Sequence, residues 1–282
     1  MIRIITDSAA DMERAELEKY SVINVPLAVS FGDKSYLDGV DLERPEFYRL
    51  LQSESEFPKT SQPSPDAFLK EFEAAKEAKD EVIAILVSGG LSGTVQSANI
   101  AKEMADYDKI YIVDSLLATG GQQMLVLHAA SLRDKGYDAP YIVSEVEKLR
   151  DRSRLVAGLD TLEYLCRGGR LSKTAAGIGT LANIKPIIRL TPEGKVVLAE
   201  KCLGRKSMIN KLTKYLDKTG VDYDFPLCFL YCHDRTNCDE FMDKLRDKGY
   251  DLSNIMCINI GPAIGSHIGV GALGVVYFAP EE

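Results

Sequence analysis

Four short stretches of the chain gather hydroxyls, glycines and cations in arrangements suited to holding an anion. In SGGLSGTVQSA (88–98) the glycines let the backbone approach a ligand, and Ser92 or Thr94 opens a helix whose free N–H groups and dipole favour negative charge. The same residues read equally as a glycine turn with Ser92 as helix cap. The stretch lacks the lysine and the GxxxxGK spacing of a nucleoside-triphosphate loop. KTSQPSP (59–65) sets Thr60, Ser61 and Gln62 in an extended lead-in, because residues before proline avoid the α region, with Ser64 as N-cap and Pro65 at the first helical position. Hydroxyls fixed in that way suit an oxyanion or a carboxylate. LCRGGRLS (165–172) places Arg167 and Arg170 around a glycine pair, and GPAIGSHIGVG (261–271) puts His267 in a loop where glycines leave room beside the ring. A solvated arginine and a satisfied structural histidine are the plain alternatives.

Such residues need a scaffold, and the apolar pattern supplies one. In the first half, β-rich runs at 2–6, 22–31, 82–88 and 110–113 alternate with amphipathic stretches at 13–20, 45–52, 65–79, 93–106 and 120–135, the pattern of a parallel sheet with helical crossovers. Three of these runs end in Thr6-Asp7-Ser8, Ser88-Gly89-Gly90 and Asp114-Ser115. Ligands of open α/β sheets bind beyond such carboxyl ends, although Asp and Ser also cap the helix that follows. From residue 155 the pattern changes: IIRLTPEGKVVLAEK (187–201) is a hairpin around Pro192-Glu193-Gly194, and strands near 227, 255 and 275 alternate with helices at 206–218 and 237–248. The expectation is an α/β chain of two α/β domains, 1–155 with a mainly parallel sheet and 156–282 with a mixed or antiparallel one. The segment near 60–80 is a candidate to pack with the second domain.

Charge and composition narrow the function. With 34 Lys+Arg against 42 Asp+Glu the formal charge is −8, so no summed positive field collects nucleic acid or anionic lipid. Residues 1–11 (MIRIITDSAAD) hold no apolar run longer than two residues and so lack the apolar core of a signal peptide, and the protein is expected in the cytoplasm. Residues 252–280 contain no Asp, Glu, Lys or Arg, yet Asn254, Asn259, Pro262, Ser266 and His267 interrupt them, so they read as two buried strands around a loop. Membrane contact is at most transient. Cys228, Cys232, His233 and Cys238 have the types of a zinc cluster, but Cys228 and Cys232 share a strand face and read as buried thiols. No metal or cofactor is expected.

Taken in order, TDSAAD, KTSQPSPDAF, SGGLSGTVQSA, IVDS, LEYLCRGGRLS, NIKPII and IGSHIGVGALGVVYF resemble the DegV family of bacterial fatty-acid-binding proteins from near Ile4 to near Phe278. The resemblance implies a long-chain fatty acid buried in the protein with its carboxylate near the domain interface. It further implies a non-catalytic role as the fatty-acid-binding subunit of a fatty acid kinase, presenting the carboxylate to a separate ATP-dependent kinase that makes an acyl phosphate for phospholipid synthesis. Carried over by motif, Thr60, Ser61, Ser92, Gly93 and His267 surround the carboxylate, and Arg170 lies beside the path of the phosphoryl group. The sequence departs from the family pattern at Gly89, in place of a second Ser, at Val270, in place of Pro, and at Leu203, where Arg is common. Arg205 and Lys206 are the candidates to restore the partner-facing charge. Two other readings compete: a serine hydrolase with Ser92 as nucleophile, His267 as base and Asp7 or Asp114 as orienter, though Gly90-Leu91-Ser92-Gly93 is not a GxSxG elbow, and a sugar or nucleotide sensor, which needs polar groups throughout its pocket.

Overall fold

The structure, a computed structural model, describes residues 1–172, 174 and 183–281. Strands β1 (Ile2–Asp7), β2 (Val22–Val25), β6 (Glu81–Leu86) and β7 (Ile110–Asp114) form a sheet in the order β2-β1-β6-β7, every pair parallel. Side chains alternate across it. Ile5, Val82, Ala84 and Leu86 pack against helices α3 (Pro65–Ala78) and α4 (Thr94–Ala105) through Phe68, Phe72, Ala98 and Ala101. Ile4, Ile83, Ile85 and Val113 face α5 (Thr119–Asp134) and α6 (Ala139–Asp151).

The run expected at 22–31 is two strands rather than one. Pro26 has no N–H to give a ladder, and beyond it β3 (Ala28–Phe31) leaves the parallel sheet to pair antiparallel with β4 (Lys34–Leu37) and β5 (Lys59–Ser61). The segment near 60–80 accordingly divides: β5 belongs to this small sheet, whereas α3 packs on α4 and β6. Two further helices, α1 (Arg14–Lys19) and α2 (Arg44–Ser53), complete this half.

Strands β8 (Ser153–Gly158), β9 (Ile184–Leu190), β10 (Val196–Leu203), β11 (Leu227–Tyr231), β12 (Ile255–Asn259) and β13 (Leu273–Phe278) form the second sheet, in the order β10-β9-β8-β13-β11-β12. Its pairs are antiparallel except β11 with β12, so the sheet is mixed. Val156, Ile187, Phe229 and Val275 lie under α8 (Arg205–Thr219) and α9 (Thr236–Asp247). Ala157, Ile188, Leu230 and Val276 look the other way, into a core shared with the first half. Two short helices, α7 (Glu163–Arg167) and α10 (Pro262–Ile268), border that shared region. The uncharged stretch 252–280 is β12, α10 and β13, and among the described residues no helix is long and apolar enough to cross a membrane.

Helix α5 joins the halves, its first turn buried against both sheets. Glycine makes this approach feasible: a Cβ at Gly120 would lie 2.2 Å from Cys228 Sγ and 2.9 Å from Ile258 Cδ1. Gly120→Ala is therefore expected to cost about 1–3 kcal/mol by overpacking, read as a lower urea midpoint. Adding Cys228→Ala removes the opposing sulfur, so the double variant should lose less than the two single variants together. Strictly additive losses would show that this contact is not the cause.

Candidate functional site

The carboxyl ends of the first sheet and the inner face of the second enclose a cavity of about 840 Å³, counting its mouth. Most of its wall is apolar: Leu155, Ile188 and Leu230 from the second sheet, Leu27 and Val87 from the first half, Ile264 from α10. Thr60, Ser92, Arg170 and His267 also line it, and direct contacts connect their segments into one polar end.

Thr60 reaches this end because β5 pairs with β3, Thr60 opposite Val29, and alternates along its length. Thr60 is half-buried on the cavity side, and Ser61 points to the exposed side. The Thr60 hydroxyl lies 2.7 Å from His267 Nε2. The imidazole fits only because residue 168 is glycine: a Cβ there would sit 2.2 Å from His267 Nδ1. Burial, then the charge of Arg170, pushes the His267 pKa down to about 4, so the ring is neutral near pH 7.

Ser92 does not cap α4. Gly93 occupies the N-cap position without a side-chain bond, and the Ser92 hydroxyl contacts Thr94 Oγ1 at 2.8 Å. Gly93 does not itself line the cavity; it packs against the amide of Gln62, whose Nε2 donates to Ser97 Oγ at 3.0 Å. Gln62, expected only as part of the extended lead-in, is not among the residues the resemblance places at the carboxylate, although its position in TSQPSP beside Thr60 is a usable signal. Arg170 is half-buried and commits donors to two loops: Nε to the Leu91 carbonyl at 2.9 Å and Nη1 to the Gly168 carbonyl at 2.7 Å. Arg205 stands apart from the cavity, at the start of α8, facing Asp160, which Lys185 also pairs.

The hydrolase arrangement is not assembled. His267 faces Thr60, not Ser92; Asp7 accepts from the Ala9 and Val87 N–H groups; Asp114 accepts from those of Gly89 and Leu116. Cys228 and Cys232 are buried, with burial pushing the Cys232 thiol up to about 12. Among the described residues no group of three or more His, Cys, Asp or Glu is placed to hold a metal.

A family model described as "Uncharacterised protein, DegV family" matches residues 1–280. The chain belongs to the DegV family. A DegV domain-containing protein of Caldanaerobacter subterraneus is 37% identical over 279 residues, 98% of each chain. Among solved structures, a fatty-acid-binding DegV family protein from Thermus thermophilus superposes with a TM-score of 0.88 at 30% identity, covering 99% of both chains. A stearic-acid-binding protein from Eubacterium ventriosum gives 0.88 at 29% identity, covering 99% of this chain and 98% of its own.

Three aspartates are buried near one another; Asp7 and Asp11 belong to TDSAAD, whereas Asp38 lies outside the motifs named above. Asp7, Asp11 and Asp38 are at most 4% exposed. Burial is the largest cause raising each of them, Asp7 and Asp11 to about 6 and Asp38 to about 7, and the neighbouring Asp11 charge adds to the rise of Asp38. A carboxyl whose pKa is raised in the folded chain contributes stability that is full below the unfolded value near 4 and is lost as pH rises through the folded value. His267 acts in the opposite direction: its contribution is present above about 6.5 and is lost as pH falls toward 4. Above pH 6 the aspartates dominate this DegV-family chain. Its unfolding free energy is expected to fall by roughly 1–2 kcal/mol between pH 6 and pH 8, measured by urea unfolding at fixed ionic strength. A flat or rising profile would contradict the assignment.

Proposed function

We propose that this chain binds one long-chain fatty acid in the cavity, with the carboxylate at Thr60, Ser92, Arg170 and His267, and presents it to a separate ATP-dependent kinase. The observation that carries the reading is an apolar cavity with a polar end built from hydroxyls, an imidazole and one guanidinium. The fatty acids named for the Thermus and Eubacterium relatives support the choice of ligand. An acyl chain of about 14 methylenes, at about 0.8 kcal/mol each, offers on the order of 11 kcal/mol of gross burial, so the tail supplies affinity despite the cost of ordering it. The head group supplies selectivity, because a carboxylate taken from water needs several donors in place.

In the kinase step a carboxylate oxygen would attack the γ-phosphorus of ATP on the partner and ADP would leave, producing the acyl phosphate. The motif resemblance and the lack of a GxxxxGK sequence support placing the nucleotide on a partner. Arg170 would offset charge as the phosphoryl group arrives, and Arg205 and Lys206 would face the partner. Ser61 and Gly93 would act through the loops that present Thr60 and Ser92.

Protein purified from bacteria is expected to release close to one long-chain fatty acid per chain on denaturing extraction, measured by mass spectrometry. Finding neither bound lipid nor thermal stabilisation by added oleate would remove the reading. Thr60→Val, Ser92→Ala and His267→Gln should each weaken oleate binding by about 1–3 kcal/mol, with much smaller effects on the methyl ester. Parent-like oleate affinity in all three would place the head group elsewhere.

With ATP and Mg²⁺ the loaded chain should form acyl phosphate only when its kinase is added. Arg170→Ala should lower turnover more than lipid affinity, although loss of the Leu91 contact should cost some affinity too. Equal losses would leave Arg170 with a binding role alone.

A further inference from the structure

His267 is carried by α10, a helix of seven residues whose first turn meets two buried carboxyl groups. Asp11 Oδ1 accepts from the Gly261 N–H at 2.9 Å, and Asp38 Oδ2 accepts from the Ala263 N–H at 3.2 Å. Both face one point of the backbone: a Cβ at Gly261 would lie 2.6 Å from Asp11 Oδ1 and 3.7 Å from Asp38 Oδ1. The chain just before α10 is tied as well, with Arg44 Nε donating to the Asn259 carbonyl at 2.7 Å and Tyr48 Oη to the Ile260 carbonyl at 2.8 Å. From this anchored turn α10 runs to the cavity, where Ile264, His267 and Ile268 form part of the wall.

We propose that Asp11 and Asp38 are positioning residues for His267, and that their protonation makes the placement of α10 dependent on pH. Two buried carboxylates side by side repel unless one is neutral. One cation is at hand, Arg44, whose charge favours the ionised forms of both; three of its five N–H groups go to the Asn259 carbonyl, the Asp11 carbonyl and the Glu13 carboxylate, and burial outweighs it at both carboxyls. The other groups facing the pair are Asp7 and Glu13 on its own side and Glu16 of α1. Beyond them lie Tyr48 of α2, with Cys232 and His233 around its phenol, and the Thr119 hydroxyl of α5. Burial holds the protons of Asp11 and Asp38 to about pH 6 and 7, so both carboxyls become ionised between pH 6 and 8. The cost of keeping ionised carboxyls out of water, with the Asp11 charge adding to it at Asp38, then loosens the first turn of α10. His267 itself titrates near 4 and stays neutral throughout this window.

The consequence for ligand rests on the fatty-acid reading: a carboxylate that needs His267 in place should bind more tightly at pH 6 than at pH 8. The test compares the parent chain with Asp38→Asn, which cannot ionise but keeps an oxygen to accept from the Ala263 N–H. In lipid-free protein, amide exchange over residues 264–269, corrected for intrinsic rates, should speed up from pH 6 to pH 8 in the parent and much less in the variant. Equilibrium dialysis with labelled oleate should show an affinity ratio between the two pH values of about tenfold in the parent, the change that one unit of linked pKa shift produces, and a clearly smaller ratio in Asp38→Asn. Titration of oleate itself, and of Asp7, is common to both proteins and cancels in the comparison. Identical exchange profiles in the two proteins would overturn the proposal whether or not oleate binds. Failure to bind oleate at either pH would defeat the fatty-acid reading, leaving the exchange data to decide the carboxyl pair. If Asp38→Asn does not fold, Asp11→Asn carries the same comparison.

Discussion

The contact of 2.7 Å between Thr60 Oγ1 and His267 Nε2 joins residues 207 positions apart, and the polar end of the cavity exists only where it closes. A neutral hydrogen bond of this kind contributes only about 1 kcal/mol net. Its structural reach is larger, because each partner depends on a separate set of interactions. Thr60 faces inward only because β5 pairs with β3 in the register that sets it opposite Val29. His267 arrives only because Gly168 leaves room for its ring and the first turn of α10 is anchored on Asp11 and Asp38. Arg170 then bridges the remaining two loops through the Leu91 and Gly168 carbonyls. Shifting any one of these contacts changes which donors a ligand would meet.

The apolar part of the cavity follows from how the two sheets are covered. Each sheet has one face fully packed by its own helices, α3 and α4 on the first and α8 and α9 on the second. The other two faces share α5, and that helix spans only part of the gap. Leu155, Ile188 and Leu230 consequently border open volume as well as packing into the shared core. Apolar surface left in contact with water forgoes about 25 cal/mol for each Å² that could have been buried. On the fatty-acid reading, the occupant contributes this missing packing, and the bound chain becomes part of the core between the halves.

Much of this was legible from types and spacing. Pro63 and Pro65 marked the extended lead-in and the cap at Ser64, whose hydroxyl accepts from the Ala67 N–H, and the Pro-Glu-Gly turn marked the β9–β10 hairpin. The outward direction of Ser61 was not legible, because alternation fixes a direction only once the partner strand is known. The break of one expected strand into β2 and β3 had a signal, Pro26, which the apolar character of the residues on both sides outweighed. The pairing of Asp38 with Asp11 had none: 27 residues separate them, and only the return of the chain at Gly261 brings both to one backbone turn. Likewise, the pairing of His267 with Thr60 instead of Ser92 is decided by tertiary packing, which is why a nucleophile and a base with suitable types share one cavity without a hydrogen bond between them.

That separation bears on what the site can do with a carboxylate. A hydrolase with Ser92 as nucleophile needs an imidazole placed to take that hydroxyl's proton; here the Ser92 hydroxyl contacts Thr94 and the imidazole contacts Thr60. A site that presents a carboxylate for phosphorylation needs the reverse, donors strong enough to hold the anion yet too weak to quench its nucleophilicity. A full ion pair with a free bidentate guanidinium would depress the carboxyl pKa and with it the basicity of the attacking oxygen. Arg170 has already given two of its donors to backbone carbonyls, and His267 is kept neutral by burial and by that same arginine. On the presentation reading, the carboxylate would therefore rest mainly on neutral donors, with one shared positive charge at the side from which the phosphoryl group comes.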